Sequence, residues 1–259
     1  MTGVSQGVPP TTEGDRFALD QTQVAHFEAF GFLALPGLFR PELDAIVGAF
    51  DQVFAETPAA TELDQLEPDL IEDAFANTSR IDSYHHLHRG KHRAIIPGII
   101  ESTPGLAWLL SDPRVVGLAE SLLGPGPEYH GSDGNLLDCD TSWHCDIYRA
   151  PLEDYHIKIL FYLDPLDHDT GALRVIPGTH HYDSAFALQM RGDLNDWQVI
   201  PDILGVACDE VPSWTVPTRP GDVVVLNFRT IHATFHGQEG RRLFTLNYRG
   251  TQGSGPGGS

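Results

Sequence analysis

The chain has 259 residues, of which 41% are hydrophobic and 9% aromatic, a composition that can fill a sizeable buried core. Its net charge of −20 argues against nucleic acid and anionic membrane surfaces as partners. The three cysteines form no C-x-x-C pair, which predicts a protein without a disulfide framework. The sequence shows no basic and apolar leader, and no apolar run approaches the ~20 residues of a membrane span, so we expect a cytoplasmic protein.

The first half of the chain is predicted to be a loose polar arm followed by helices. The arm covers residues 1–18, which are rich in Gly, Pro and Thr. Capping residues and apolar residues at helical spacing predict helices over residues 20–31, 41–54 and 112–124. Between the first two helices, the apolar run Phe32–Leu35 predicts a strand. The apolar faces of these helices are assigned to the core.

Two irregular segments interrupt this helical half. Residues 57–73 are acidic, and we interpret them as a solvated surface loop, with a mobile lid as the alternative. Residues 84–92 concentrate histidines and cations, including His88. This second segment lacks the ligand spacing of a structural zinc site, and contact with a substrate is one of its possible roles.

After Pro127 the pattern changes from helical spacing to short strands separated by Gly, Pro and Asp. Many short strands broken by turns are typical of a sandwich, jelly roll or barrel. We predict strands at Asn135–Leu137, Trp143–Tyr148, Ile157–Leu163, Ala172–Val175, Asp222–Asn227 and Leu243–Tyr248. The chain is therefore expected to form one domain over 19–249, mostly β with flanking helices, with its β-core at about 128–249 and a disordered Gly/Ser-rich tail at 250–259.

The Trp143–Tyr148 strand carries a possible pair of metal ligands. His144 and Asp146 are two residues apart, so their side chains point to the same face of an extended strand. With a distant third histidine they form the facial two-histidine, one-carboxylate arrangement of non-haem Fe(II) oxygenases. His232 and His236, both after an apolar strand, can each supply that third ligand, and spacing alone does not choose between them. Trp143 and Cys145 are assigned to packing.

Four segments together resemble the phytanoyl-CoA dioxygenase family of Fe(II)- and 2-oxoglutarate-dependent oxygenases. They are Gln23–Phe39, Trp143–Asp146, Lys158–His180 and Gly221–Tyr248. The resemblance implies a double-stranded β-helix core, of the jelly-roll or cupin-like kind, with an N-terminal helical layer. It also favours His232 over His236, because the family motif places a small residue and a Ser or Thr after the metal-binding histidine and a basic pair further on.

The resemblance also implies residues for the co-substrate. The far carboxylate of 2-oxoglutarate must end on a cation, and a guanidinium matches a carboxylate with two hydrogen bonds. Arg241 and Arg242 are neighbours on a strand, so only one can face inward. The family register favours Arg241, with Thr234 as its hydroxyl partner. Lys158, on an otherwise apolar strand, and Asn135 are further candidates.

Three residues are candidates for binding the substrate: Tyr148 beside the metal strand, His88, and Trp197 in the 182–218 insertion. The expected partner is a small molecule, with nucleic acid and membranes excluded, and the chain is expected to be a monomer or homodimer.

The implied reaction is the oxidation of an unactivated C–H bond of a small molecule, a natural-product intermediate being one possibility, with release of succinate and CO₂. Hydroxylation is favoured because Asp146 is a carboxylate, whereas related halogenases have a small residue at this position. Two alternatives remain open. One is a cupin-type metalloenzyme that does not use 2-oxoglutarate, and the other is a non-catalytic binding protein on the same fold.

Overall fold

The structure is a computed structural model that describes residues 17–56, 93–137, 140–146, 155–181, 183–191 and 199–250. The predictions for His88, Tyr148 and Trp197 lie outside these residues. So do the predictions for the two irregular segments at 57–73 and 84–92, for most of the arm and for all but the first residue of the tail.

Six α-helices lie in the described parts of the chain. They are α1 (Gln21–Phe30), α2 (Leu43–Glu56), α3 (Ile99–Ser102), α4 (Pro113–Leu123), α5 (Ala185–Arg191) and α6 (Val199–Leu204). The ends of α1 follow from its sequence. The Asp20 side chain accepts from the backbone N–H of Gln23, whose side chain caps in return, and Gly31 ends the helix with a left-handed φ of 81°. No described helix is long and apolar enough to cross a membrane.

Within the described ranges, ten strands form two antiparallel sheets. In chain order they are β1 (Phe32–Leu35), β2 (Arg93–Pro97), β3 (Glu128–Leu137), β4 (Thr141–His144), β5 (His156–Tyr162), β6 (Leu173–Val175), β7 (Trp214–Val216), β8 (Val223–Asn227), β9 (His232–Thr234) and β10 (Arg241–Arg249). The larger sheet has the order β1-β8-β5-β10-β3-β2, and the smaller one the order β4-β9-β6-β7. Two facing antiparallel sheets with flanking helices confirm the predicted jelly-roll class.

The strand pattern of the larger sheet separates two apolar layers. On β5, Ile157, Ile159 and Phe161 pack with the N-terminal helices, whereas Leu160 and Tyr162 point between the two sheets. This alternation follows from the two-residue period of a strand. A third apolar cluster, which includes Trp143, Met190 and Ile200, covers the outer side of the smaller sheet with α5 and α6. The protein therefore has four layers, and the space between the sheets lies at the centre.

Most predicted elements are present, and the differences are short strands. The strands β2, β7 and β9 were not predicted, and β1 and β2 add residues from before position 128 to the larger sheet. The strand predicted at Trp143–Tyr148 is wrong in its bounds, because β4 runs from Thr141 and ends at His144. Trp143 and Cys145 are buried, as expected for packing residues.

Candidate metal centre

Three side chains meet between the sheets at the edge of the smaller one. His144 ends β4 and His232 begins β9, and the two residues are directly paired across these antiparallel strands. One ligand atom from each of His144, Asp146 and His232 can be chosen so that all three lie within 4.8 Å of one another. The structure thus brings together the three residues predicted to bind a metal.

The backbone conformation that brings Asp146 into this cluster differs from the one predicted. The expectation that His144 and Asp146 share a face of one strand is wrong, because the chain leaves the strand after His144 and bends at Asp146. The backbone N–H of Asp146 donates to the carbonyl oxygen of Phe228 at 2.8 Å. This bond fixes the bend, and the bend turns the carboxylate toward the two imidazole rings.

The two histidines are held in the form that can bind a metal. Nδ1 of His144 lies 2.8 Å from the carbonyl oxygen of Ser142, and Nδ1 of His232 lies 2.9 Å from the carbonyl oxygen of Thr230. A carbonyl oxygen can only accept, so Nδ1 carries the proton in both rings and Nε2 has the lone pair. A backbone carbonyl behind the ring is the common support of a metal-binding histidine.

The two carboxylate oxygens of Asp146 have different surroundings. Oδ1 accepts a hydrogen bond from Nζ of Lys158 at 2.8 Å. Oδ2 is buried without a hydrogen-bond partner and lies 4.0 Å from Nε2 of His232. A buried unsatisfied oxygen costs roughly 1–3 kcal/mol, so it calls for an explanation. A divalent cation fits, because Oδ2 and two imidazole Nε2 atoms would then share one ion.

The charges at the cluster also suit a metal. Burial, together with the nearby His232 ring, lowers the pKa of His144 to about 3, so this ring stays neutral near pH 7. Burial alone would raise the pKa of Asp146, but the Lys158 ammonium beside it holds the pKa well below its usual range. The cluster therefore offers a neutral ring and an ionised carboxylate, the forms that coordinate a cation.

The cluster opens into a cavity of about 520 Å³, counting the part open to solvent. Of the residues predicted for the co-substrate, Asn135, Lys158 and Thr234 line this cavity. Further lining residues were missed by the sequence reasoning: Asp133, Leu137, Thr141, Leu160, Tyr162, Leu173, Ala233, Leu243 and Thr245. Strand alternation had the signal for several of them, because an inward residue implies inward residues two positions away.

Polar side chains from neighbouring strands line one wall of the cavity. Asp133 on β3 accepts from Nδ2 of Asn135 at 2.6 Å and from the Thr245 hydroxyl at 2.8 Å. Asp133 is half-buried, as are Asp146 and Lys158. At the other end of these strands, the lining residues Leu137, Tyr162 and Leu243 are buried. The cavity therefore has a deep end and a more exposed end.

Arg241 lies beside the deep end but is not one of the residues that line the cavity. It is 3% exposed, shares its face of β10 with Leu243 and Thr245, and Nη1 donates to the carbonyl oxygen of Gly171 at 2.8 Å. It stands next to the residues that line the cavity. His236, the rival third ligand, lies elsewhere, with its side chain 44% exposed and Nε2 3.3 Å from Oδ2 of Asp209.

The two facing sheets and the His-Asp-His cluster between them place this protein in a class, the jelly-roll proteins with a candidate non-haem metal site. The family model for phytanoyl-CoA dioxygenase (PhyH) matches residues 27–242. The chain therefore belongs to the phytanoyl-CoA dioxygenase family, as its motifs predicted. Compared by sequence with curated proteins, it has no significant match.

Solved structures share the fold at low sequence identity. EctD from S. alaskensis, solved in its apoform, is 20% identical, with a TM-score of 0.63 over 93% of this chain and 80% of EctD. SnoK, a non-heme alpha ketoglutarate dependent carbocyclase from nogalamycin biosynthesis, is 21% identical, with a TM-score of 0.61 over 97% of this chain and 91% of SnoK. HygX from Streptomyces hygroscopicus, solved with nickel and 2-oxoglutarate, is 19% identical, with a TM-score of 0.59 over 90% of this chain and 88% of HygX. HygX was also solved with iron bound.

Proposed function

We propose that the protein is a non-haem Fe(II)- and 2-oxoglutarate-dependent dioxygenase that hydroxylates an unactivated C–H bond of a small molecule. The observation that carries this proposal is the cluster of His144, Asp146 and His232, whose ligand atoms lie within 4.8 Å of one another at a cavity between two sheets. Two imidazoles and one carboxylate on one side of an ion leave its other positions open toward the cavity. Family membership and HygX, a structural neighbour solved with 2-oxoglutarate, give further support.

In this proposal Arg241 binds the far carboxylate of 2-oxoglutarate. Its side chain is buried beside the cavity, on the face of β10 that also carries the lining residues Leu243 and Thr245. Thr234 lines the same cavity and supplies a hydroxyl. A fixed guanidinium and a hydroxyl match a carboxylate that must be held away from bulk water.

Bound at this site, Fe(II) and 2-oxoglutarate would supply an oxidant made from O₂, with release of succinate and CO₂. The protein's own residues hold and enclose the reacting molecules. Leu160, Tyr162 and Leu173 give the cavity an apolar wall. The carboxylate of Asp146 fills the position that a halide takes in related halogenases, which supports hydroxylation.

The experiment that tests this function compares two histidine variants under anaerobic conditions. Wild-type protein with Fe(II) and 2-oxoglutarate should show the visible charge-transfer band of the iron chelate. His232→Ala should lose the band, whereas His236→Ala, the matched control outside the cavity, should keep it. A screen of small molecules for succinate release then follows with the wild type. An unchanged band in His232→Ala, or its loss in His236→Ala, would contradict the assigned site.

A further inference from the structure

Lys158 contacts the candidate metal cluster. Lys158 lies on β5 between the fully buried residues Ile157 and Ile159, and its side chain is 16% exposed. Nζ donates to Oδ1 of Asp146 at 2.8 Å and lies 5.2 Å from the ring centre of Phe228. An ammonium enclosed on a strand of this kind is costly to desolvate, so its contact with Asp146 calls for a functional explanation.

Because of this contact, the two carboxylate oxygens of Asp146 are not equally available to a metal. A carboxylate can bind a metal through one oxygen or through both, and the second mode takes one more position on the ion. In this structure Oδ1 is engaged by the ammonium, while Oδ2 is the buried oxygen without a hydrogen-bond partner that faces His232. An ion held by the cluster therefore meets Oδ2, and the ammonium competes with it for Oδ1.

We propose that Lys158 is a positioning residue that restricts Asp146 to one-oxygen coordination through Oδ2. This inference rests on the proposed function, because it assigns a role toward the metal that function requires. By withholding Oδ1, Lys158 keeps one more position of the ion available to 2-oxoglutarate and O₂. The sequence expectation that Lys158 binds 2-oxoglutarate directly is replaced here by an indirect role through Asp146.

The ammonium also sets the charge of the site. With both imidazoles neutral, as metal binding requires, the three ligands carry a charge of −1, which Lys158 offsets while it lies against Oδ1. Removal of the ammonium makes the ligand set more attractive to a cation and less attractive to the 2-oxoglutarate dianion. Loss of Lys158 should therefore weaken 2-oxoglutarate binding without weakening metal binding, whereas a purely structural loss would weaken both.

The test uses Mn(II) and 2-oxoglutarate as probes of the full-length protein. Mn(II) binding is followed by electron paramagnetic resonance, and 2-oxoglutarate binding by the anaerobic Fe(II) chelate band. In Lys158→Met we expect Mn(II) to bind as tightly as in the wild type or up to about tenfold more tightly, and 2-oxoglutarate to bind at least about tenfold more weakly. Lys158→Arg, which retains a cationic donor, should recover part of the 2-oxoglutarate affinity.

Arg242→Met is the matched control, since it removes a cation paired with an aspartate on the outer side of the same sheet. It should leave both affinities unchanged. The proposal is overturned if Lys158→Met binds 2-oxoglutarate like the wild type, or if it weakens both probes to the same extent, because the lysine then has no role or only a structural one. If the wild type itself binds neither Mn(II) nor Fe(II) with 2-oxoglutarate, the proposed function fails and this inference fails with it.

Discussion

Arg241 and Arg242 are consecutive residues of β10 whose guanidinium groups lie on opposite faces of the larger sheet. Arg241 is buried and donates to the carbonyl oxygen of Gly171. Arg242 pairs with Asp164 at 2.7 Å and with Asp51 of α2 at 2.9 Å. One arginine therefore faces the space between the sheets, whereas the other ties the helical layer to the sheet.

This division gives a prediction for the two arginines. Arg241→Met should weaken 2-oxoglutarate binding by a factor on the order of 100, because two charge-assisted hydrogen bonds are lost. Arg242→Met should leave that affinity unchanged and lower the melting temperature by a few degrees, because partly exposed ion pairs contribute only about 1 kcal/mol. The anaerobic chelate band gives the affinities, and a thermal melt gives the stability.

If Arg241→Met keeps the wild-type affinity and turnover, the co-substrate does not use this residue. That outcome would favour the alternative, a cupin-type metalloenzyme that works without 2-oxoglutarate. Retained metal binding in both arginine variants is the internal control, because neither residue belongs to the His-Asp-His cluster.

A second prediction concerns the glycine that lies against Arg241. A Cβ at Gly237 would overlap the guanidinium of Arg241, whereas a Cβ at Gly48 in α2 would meet nothing within 4 Å. Gly237→Ala should therefore displace the guanidinium and weaken 2-oxoglutarate binding by about tenfold, or ~1.4 kcal/mol. Gly48→Ala should keep the affinity and raise the stability by about 0.5–1 kcal/mol, because alanine favours a helix. Equal affinities in the two variants would show that Arg241 adjusts without loss.

A third prediction is the pH dependence of the metal-free protein. The pKa of His144 is lowered to about 3 in the folded state, chiefly by burial, from about 6.5 in the unfolded chain. Below about pH 6.5 the unfolded state takes up a proton that the folded state resists, so stability is lost as the pH falls. The slope reaches at most about 1.4 kcal/mol per pH unit for this one group.

Melting temperatures between about pH 7 and pH 5 measure this effect. His144→Gln should show a shallower fall on acidification than the wild type, since glutamine takes up no proton. Parallel curves for the wild type and His144→Gln would mean that the buried ring is protonated in the folded state as easily as in the unfolded one.

A fourth prediction separates the core from the site. Phe244 is fully buried on the helix-facing side of β10 and stacks on Phe161 with a ring-centre distance of 4.6 Å. Phe244→Ala should cost about 3–5 kcal/mol of unfolding free energy in urea and leave Mn(II) affinity unchanged. Phe30→Ala, at a position that is 43% exposed, should cost less than about 1 kcal/mol. A large loss of Mn(II) affinity in folded Phe244→Ala would mean that the two faces of the sheet are coupled.

The helices with strong local signals could be predicted from the sequence. Capping residues and helical periodicity predicted α1, α2 and α4, since Asp20, Gly31 and Asp112 act through their immediate neighbours. The prediction that Arg241, and not Arg242, faces inward is also confirmed, because neighbouring side chains on a strand point to opposite faces. That Arg241 binds 2-oxoglutarate stays a prediction.

The missed features depend on partners that are distant in sequence. The strand β9 has three residues, too few for a pattern, and exists because β4 and β6 pair with it on both sides. The bend at Asp146 depends on the carbonyl oxygen of Phe228, and the contact of Lys158 with Asp146 depends on that bend. Long-range hydrogen bonds of this kind leave no periodic trace in the sequence.

The length of the cavity bears on how the proposed enzyme could hold two molecules at once. Arg241 and Thr245 are four residues apart on one strand, so roughly 13 Å separates their backbones along it. Beside Thr245 lies the half-buried Asp133, whereas Arg241 is buried. 2-Oxoglutarate is a five-carbon chain and is shorter than this distance. In the proposed enzyme, a molecule anchored on Arg241 would therefore leave the Asp133 end of the cavity for the substrate.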